Sequence, residues 1–380
     1  MIDILYVLGG LGVGGTERQV SLILPALVQR GWNVEVALLG DEGVFSRPLH
    51  EAGIPVHRIE TGPIPSIPKL RGLMRMRAQA RALSVRLSAA PPTIVHCFLP
   101  TCCVVGDWAA RQVQYAPIVM SRRSQSDRPS LHFGDKWLER RALRRASLVL
   151  GHSSWVLREL KDEGVAPERL RLVHNGVEIQ PEFSAKERMS ARASAGWRRE
   201  EVVCLIVANL HPYKGHAYLM RGMAETMKAM PDWRLVFAGG GAADYTAQLS
   251  AMAAELGLVD RIEFLGQRND VPRLLAGADI GILASDHEGF SNALLEYMAA
   301  SLPVVATATG GNLDAVEEGR TGFLVPPASP IALGKAVAAL VQDADLRGRF
   351  GVAGRRKIEA EFSLDACISG YENVYRSLLS

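Results

Sequence analysis

Short runs of apolar, often β-branched residues recur along this 380-residue sequence, separated by longer stretches with helical patterning, and this rhythm restricts the fold more than any other feature. In the first half the runs fall at 2–8, 34–39, 93–98, 118–120, 148–150 and 170–173. In the second half they fall at 202–207, 235–238, 262–265, 280–283 and 304–306. Strands that are apolar along their whole length are covered on both faces, and strands joined through helices run parallel. Residues 179–199 break the rhythm with Pro181, Gly196 and several charges, as a connector would. The expected fold class is α/β, with two Rossmann-like doubly wound domains. The expected boundaries are 1–180, a linker at 181–199, and a second domain at 200–360. The chain reads as helical from Pro330 onward and as crossing back toward the first domain, the last helix being 361–380.

At 48% hydrophobic and 22% charged residues, the chain can bury two cores. Its five cysteines, Cys97, Cys102, Cys103, Cys204 and Cys367, have neither metal-ligand spacing nor the density of a disulfide scaffold. A reducing cytoplasmic setting and no structural metal are expected. Residues 1–8 place Asp3 where a signal peptide carries positive charge, and read instead as a buried first strand. Charge is uneven: residues 1–180 hold 23 Lys and Arg against 16 Asp and Glu, and the remainder 20 against 24. Much of the basic excess lies in a helix at 69–86, where Lys69, Arg71, Arg75, Arg77, Arg81 and Arg86 interleave with leucines and methionines. Such a helix either meets anionic lipid at the inner face of the cell membrane or is a solvated helix covering the sheet. It lacks the interleaved aromatics of a nucleic-acid surface, so no nucleic-acid partner is expected.

After the first run comes Gly9-Gly10-Leu11-Gly12-Val13-Gly14-Gly15-Thr16-Glu17, in which Gly10, Gly12 and Gly15 satisfy the spacing of a dinucleotide-binding turn. A nicotinamide site also wants an acid ending the second strand, and here Glu35 falls inside the strand and Asp41 beyond it. The alternatives are bare amides at Gly14 and Gly15 facing an anion or sugar across a cleft, or a simple tight turn.

The most informative segment is Ser285-Asp286-His287-Glu288-Gly289-Phe290-Ser291-Asn292-Ala293-Leu294-Leu295-Glu296. Ser291 is a suitable N-cap for a helix over 293–300, so free amides around it point beyond the preceding strand, where an anion belongs. Glu288 before this helix and Glu296 on its second turn are too far apart for a shared acid–base dyad and suit hydroxyl recognition.

Glu288 and Glu296, with seven residues between them, resemble the E-x7-E signature of retaining glycosyltransferases of the GT-B fold, especially family 4 (glycosyl transferases group 1). The likeness extends to His174-Asn175-Gly176-Val177, Asn209-Leu210-His211-Pro212-Tyr213-Lys214-Gly215, Phe264-Leu265-Gly266, Gly310-Gly311 and Gly322-Phe323-Leu324-Val325, in that order. The resemblance implies two domains facing across a cleft, with a nucleotide-sugar donor on the C-terminal side and a saccharide or lipid-linked acceptor on the N-terminal side. It implies that Lys214 neutralises the diphosphate, Glu288 holds donor-sugar hydroxyls, Glu296 binds the ribose, and the backbone of Gly289, Phe290, Ser291 and Asn292 lies along sugar and diphosphate. It implies no cofactor and no metal.

Two departures stand out. Asn209 occupies the place of an arginine found five positions before the lysine in many relatives. Ser121-Arg122-Arg123-Ser124 replaces a histidine-bearing strand end, so Arg122 and Arg123 are candidates to meet a phosphate or, alternatively, to pair within the fold. His96, at another strand end, is expected to face the same cleft, as a packed residue more readily than as a reagent. The rivals to sugar transfer from a UDP-sugar are a sugar-nucleotide epimerase of the same fold, a non-catalytic nucleotide-sugar or glycan binder, and a nicotinamide oxidoreductase.

Overall fold

The computed structural model describes residues 3–63, 70–114, 117–123, 133–230 and 232–379. The segments 61–68 and 124–132, which from the sequence are expected as variable loops that would build an acceptor pocket, lie largely outside these residues, as does Lys69. The chain forms two units, Met1–Gly176 with Leu364–Ser380, and Val177–Ser363.

The first unit is a parallel sheet of β1 (Ile4–Leu8), β2 (Val34–Leu38), β3 (Val56–Arg58), β4 (Ile94–Phe98), β5 (Ile118–Arg122), β6 (Leu148–Gly151) and β7 (Leu170–Leu172), in the order β3-β2-β1-β4-β5-β6-β7. Its helices are α1 (Gly15–Gln29), α2 (Ser46–Glu51), α3 (Arg71–Ala89), α4 (Pro100–Gln112), α5 (Phe133–Leu143) and α6 (Ser154–Asp162), joined by the last helix of the chain, Leu364–Leu379. Alternation along β1 divides the core. Ile4, Tyr6 and Leu8 meet α1 and the last helix, whereas Leu5 and Val7 meet α3, α4 and α5. The basic helix α3 buries Ala80, Leu83 and Leu87 against the sheet and leaves Arg71, Arg75, Arg77 and Arg81 exposed.

The second unit contains α7 (Ala185–Ala195), β8 (Val202–Val207), α8 (His216–Ala229), β9 (Trp233–Ala238), α9 (Ala243–Glu255), β10 (Ile262–Phe264), α10 (Val271–Gly277), β11 (Ile280–Leu283), α11 (Asn292–Ala299), β12 (Val304–Thr307), α12 (Asn312–Ala315), β13 (Gly322–Val325), α13 (Pro330–Gln342) and α14 (Ala344–Glu361). Its parallel sheet runs β10-β9-β8-β11-β12-β13. Cys204 and Ile206 of β8 pack under α8, α9 and α13, while Val203 and Leu205 face α10 and α11. Both sheets are therefore doubly wound, as the sequence rhythm requires.

Three sequence expectations need correction. Residues 181–199 are not a linker: α7 carries a capping box in which Ser184 and Glu187 bond reciprocally, and it ends on Gly196 at φ +72°. Pro181 and Gly196 bound a helix rather than break one, and Trp197 behind it is buried with its indole nitrogen 2.9 Å from Glu263 Oε2. Of the helices after Pro330, α13 and α14 stay with the second unit, and only Leu364–Leu379, now α15, completes the first. Finally, β3 and β13 are not among the expected strand runs. β3 is a three-residue edge strand with two exposed polar positions, and β13 is a four-residue strand opening on glycine.

α15 enters the core of the first unit with polar groups as well as apolar ones. Tyr375 Oη contacts Tyr6 Oη and lies 2.8 Å from His96 Nδ1, whose Nε2 lies 2.8 Å from Ser121 Oγ. All three of Tyr6, His96 and Tyr375 are fully buried. Replacing Tyr375 by Phe strands two buried polar groups. It is expected to destabilise the first unit by about 1–3 kcal/mol, measured by urea unfolding against wild type.

Candidate active site

In the second sheet the strand order reverses beside β8: β9 lies on one side and β11 on the other, and α8 and α11 leave toward opposite faces. Such a reversal opens a crevice beyond the carboxyl ends of the two strands, the usual ligand position in this architecture. Two loops border it, residues 208–215 after β8 and 284–291 after β11.

The loops are joined at three points. Asp286 N donates to Tyr213 O at 2.7 Å. Lys214 Nζ lies 2.5 Å from Glu288 Oε1. At Gly215, with φ +74°, a Cβ would sit 1.9 Å from Ala284 O, so only glycine permits the approach. Ser285 is fully buried and its Oγ donates to Glu288 Oε1 at 2.7 Å, while Thr307 Oγ1 at the end of β12 donates to Ser285 O at 2.6 Å. Gly311 N, after β12, donates to Gly289 O at 2.8 Å. The carboxylate is thus held from three neighbouring strand ends.

Ser291 caps α11, its side chain accepting from Leu294 N. The first turn of α11 presents its N-terminal dipole end to the crevice and lends it a positive pole. Lys214 adds a full charge. Burial pulls against its ammonium, yet the adjacent Glu288 more than compensates and raises its pKa above the ordinary lysine value. With one of its three N–H groups on Glu288, two remain for a ligand, and Glu288 keeps Oε2. Glu296 lies on the second turn of α11, 9% exposed. Asn209 is exposed on the first loop. The structure therefore brings Lys214, Glu288 and the N-terminus of α11 to one crevice, with Ser285 as a support that sequence reasoning missed.

A second missed feature is a ladder of rings. Tyr213 stacks on His287 with centroids 4.7 Å apart and planes at 19°, and on His211 at 5.7 Å and 10°. Lys214 Nζ lies 5.2 Å from the Tyr213 centroid. The signal was present as aromatic side chains flanking Lys214 and Glu288, but only the strand order shows that 213 and 287 meet.

The candidates in the first unit have other roles. His96 lies opposite Tyr6 in the β1–β4 register and is fully buried on the sheet face under α15. Burial, then Arg123, pushes it well below the ordinary histidine range, so it is a neutral packing residue and does not face a cleft. Arg122 is buried and paired with Glu139 at 3.2 Å and Glu163 at 2.8 Å. Arg123 donates to Tyr371 Oη at 3.1 Å and Asn175 Oδ1 at 2.7 Å. Of the two readings offered for these arginines, pairing within the fold is the one observed. Gly14 is the N-cap of α1 and Gly15 its first residue, and the Glu17 carboxylate folds against Gly14, where a Cβ would meet it at 2.1 Å. That acid lies where a dinucleotide pyrophosphate would have to sit. Leu11 N is bonded to Asp41 O, and Glu35 is paired with Arg86. Among the described residues no group of three or more His, Cys, Asp or Glu is placed to hold a metal ion.

His216 opens α8 behind Lys214, fully buried, with neither ring nitrogen hydrogen-bonded. Burial, then Lys214, lowers its pKa from 6.5 to about 4. The unfolded chain therefore takes up this proton first as pH falls, and between 6.5 and 4 this residue removes up to about 3 kcal/mol of stability. Unfolding titrations are expected to show His216→Leu losing less stability than wild type across that window. Gly215→Ala should cost at least about 1 kcal/mol by the same measurement, because it forces the two loops apart.

Comparison with known proteins agrees with this fold. Residues 13–180 match the family described as Glycosyltransferase Family 4, and residues 187–357 match Glycosyl transferases group 1. The putative glycosyltransferase EpsD of Bacillus subtilis (strain 168) is 25% identical over 92% of this chain and 91% of its own. The D-inositol 3-phosphate glycosyltransferase of Mycobacterium sp. (strain KMS) is 37% identical over 42% of this chain, a match that spans 36% of that protein's length. Anabaena HepE, solved in complex with UDP, superposes with a TM-score of 0.86 at 23% identity, covering 99% of this chain and 100% of its own. A complex of the same protein with UDP-glucose gives 0.86 at 22% identity, with the same coverage. The two halves of this chain thus match Glycosyltransferase Family 4 and Glycosyl transferases group 1, in that order, on a chain with the GT-B fold.

Proposed function

We propose that this glycosyltransferase moves a sugar, with retention of configuration, from a UDP-sugar to a hydroxyl of a saccharide or lipid-linked acceptor. The observation that carries the reading is the Lys214–Glu288 pair at the β8/β11 reversal, beside the N-terminus of α11. The complexes of the Anabaena protein with UDP and UDP-glucose support a uridine nucleotide as donor.

As the bond between the anomeric carbon and the β-phosphate oxygen stretches, negative charge grows on the departing diphosphate. The two remaining N–H groups of Lys214 and the amides of α11 meet that charge, favouring the transition state over the ground state. Glu288, through its second oxygen, holds a sugar hydroxyl, and Glu296 the ribose. The acceptor hydroxyl attacks from the face the diphosphate leaves, and its proton passes to the departing phosphate oxygen. Glu288 is paired with Lys214, and the reading therefore assigns it to holding the sugar and invokes no retaining-hydrolase dyad. The reading calls for no cofactor or metal, because Lys214 and the helix amides meet the diphosphate charge. The exposed arginines of α3 support peripheral contact with anionic lipid, and no helix among the described residues is long and apolar enough to cross a membrane.

Release of nucleoside diphosphate from UDP-, GDP- and ADP-sugars, with and without a lipid extract, tests the proposal. UDP release that rises with acceptor is expected, and EDTA should leave it unchanged. Lys214→Ala and Glu288→Ala should each lower kcat by about 10²–10³-fold without loss of fold by circular dichroism. Full turnover in either variant would remove the site from consideration.

A further inference from the structure

The first sheet reverses its strand order between β1 and β4, and a cavity of about 370 Å³ lies at that end of the unit. Its size is within the range of small-molecule sites, roughly 300–1,000 Å³. Gly9 and Gly40, just beyond β1 and β2, border it, and the walls come from Arg75, Met76 and Gln79 of α3, Val104 of α4 and Leu138 of α5. A Cβ on Gly40 would lie 2.4 Å from Gly9 O, so the backbone itself closes that side.

The lining selects its occupant. Thr101 and Gln79 are the polar residues besides Arg75, and Gln79 already donates its amide to Leu39 O at 2.6 Å. A bare sugar would bring more hydroxyls than this wall can satisfy, each costly when left unpaired. An apolar chain meets no such penalty. Arg75 is exposed at the cavity, pairs with no acid among the described residues, and sits on a helix that contains none. An unpaired guanidinium in that position matches a phosphate.

We infer that this cavity binds a phosphate esterified to a hydrocarbon chain, and that the acceptor of the sugar is an amphiphile of this class whose phosphate also carries a hydroxyl-bearing head group. The binding claim stands on the cavity; its role as acceptor site rests on the sugar-transfer reading. The phosphate seats on Arg75 and the first carbons of the chain run along Met76, Val104 and Leu138.

Isothermal titration of the full chain with farnesyl phosphate, below its micelle concentration, tests this against farnesol and inorganic phosphate. Farnesyl phosphate is expected to bind at least tenfold more tightly than either, and Arg75→Glu and Met76→Asp should each weaken it at least tenfold. Equal binding of inorganic phosphate, or farnesyl phosphate binding unchanged in both variants, would overturn the inference. Urea unfolding of both variants against wild type shows whether the first unit, which carries Arg75 and Met76, remains folded. Titration of wild type with UDP reports on the donor reading separately, since absence of UDP binding would count against sugar transfer and not against the cavity.

Discussion

The ion pair between Lys214 and Glu288 is the constraint around which the second unit is arranged. Taking both charges from water costs several kcal/mol per ion, and their attraction offsets this only when geometry and supporting hydrogen bonds are good. The support here is Ser285, itself held by Thr307, and the backbone bond from Asp286 to Tyr213. Stability alone is a weak reason for such a pair. What it does achieve is registry: one loop from β8 and one from β11 present a cation and a carboxylate at a fixed separation.

The same strand order in the first unit has been used differently. There the charged and polar groups at strand ends turn inward, Arg122 to Glu139 and Glu163, Arg123 to Tyr371 and Asn175, His96 to Tyr375. They tie α15 and the strand ends together within the first unit. Two sheets that share one order over six strands, the first adding β7 at its edge, thus differ in use: one gathers charge at its reversal point and the other pairs charge within its scaffold.

How much of this was legible in the sequence follows from which signals are local. Buried parallel strands carry their signal in their own residues, so β1, β2, β4, β8 and β11 could be read directly. Ser291 as a cap and Glu288 ahead of it could be read too, because capping is decided within four residues. The roles of Arg122, Arg123 and His96 could not, since their partners lie 17 to 279 positions away. The misread linker shows a subtler failure: glycine after a helix and proline before one look the same as breakers until the helix between them is recognised. The Tyr213–His287 stack depends on adjacency of β8 and β11, which no spacing along the chain records.

The first unit is discontinuous, its core closed by α15 only after the whole of Val177–Ser363 has intervened. On a ribosome, the part of the β1 and β4 face that receives Tyr371 and Tyr375, beyond what α1 covers, stays open while the second unit is synthesised. Completion of the first unit therefore becomes a late event in synthesis, set by the position of α15 in the chain.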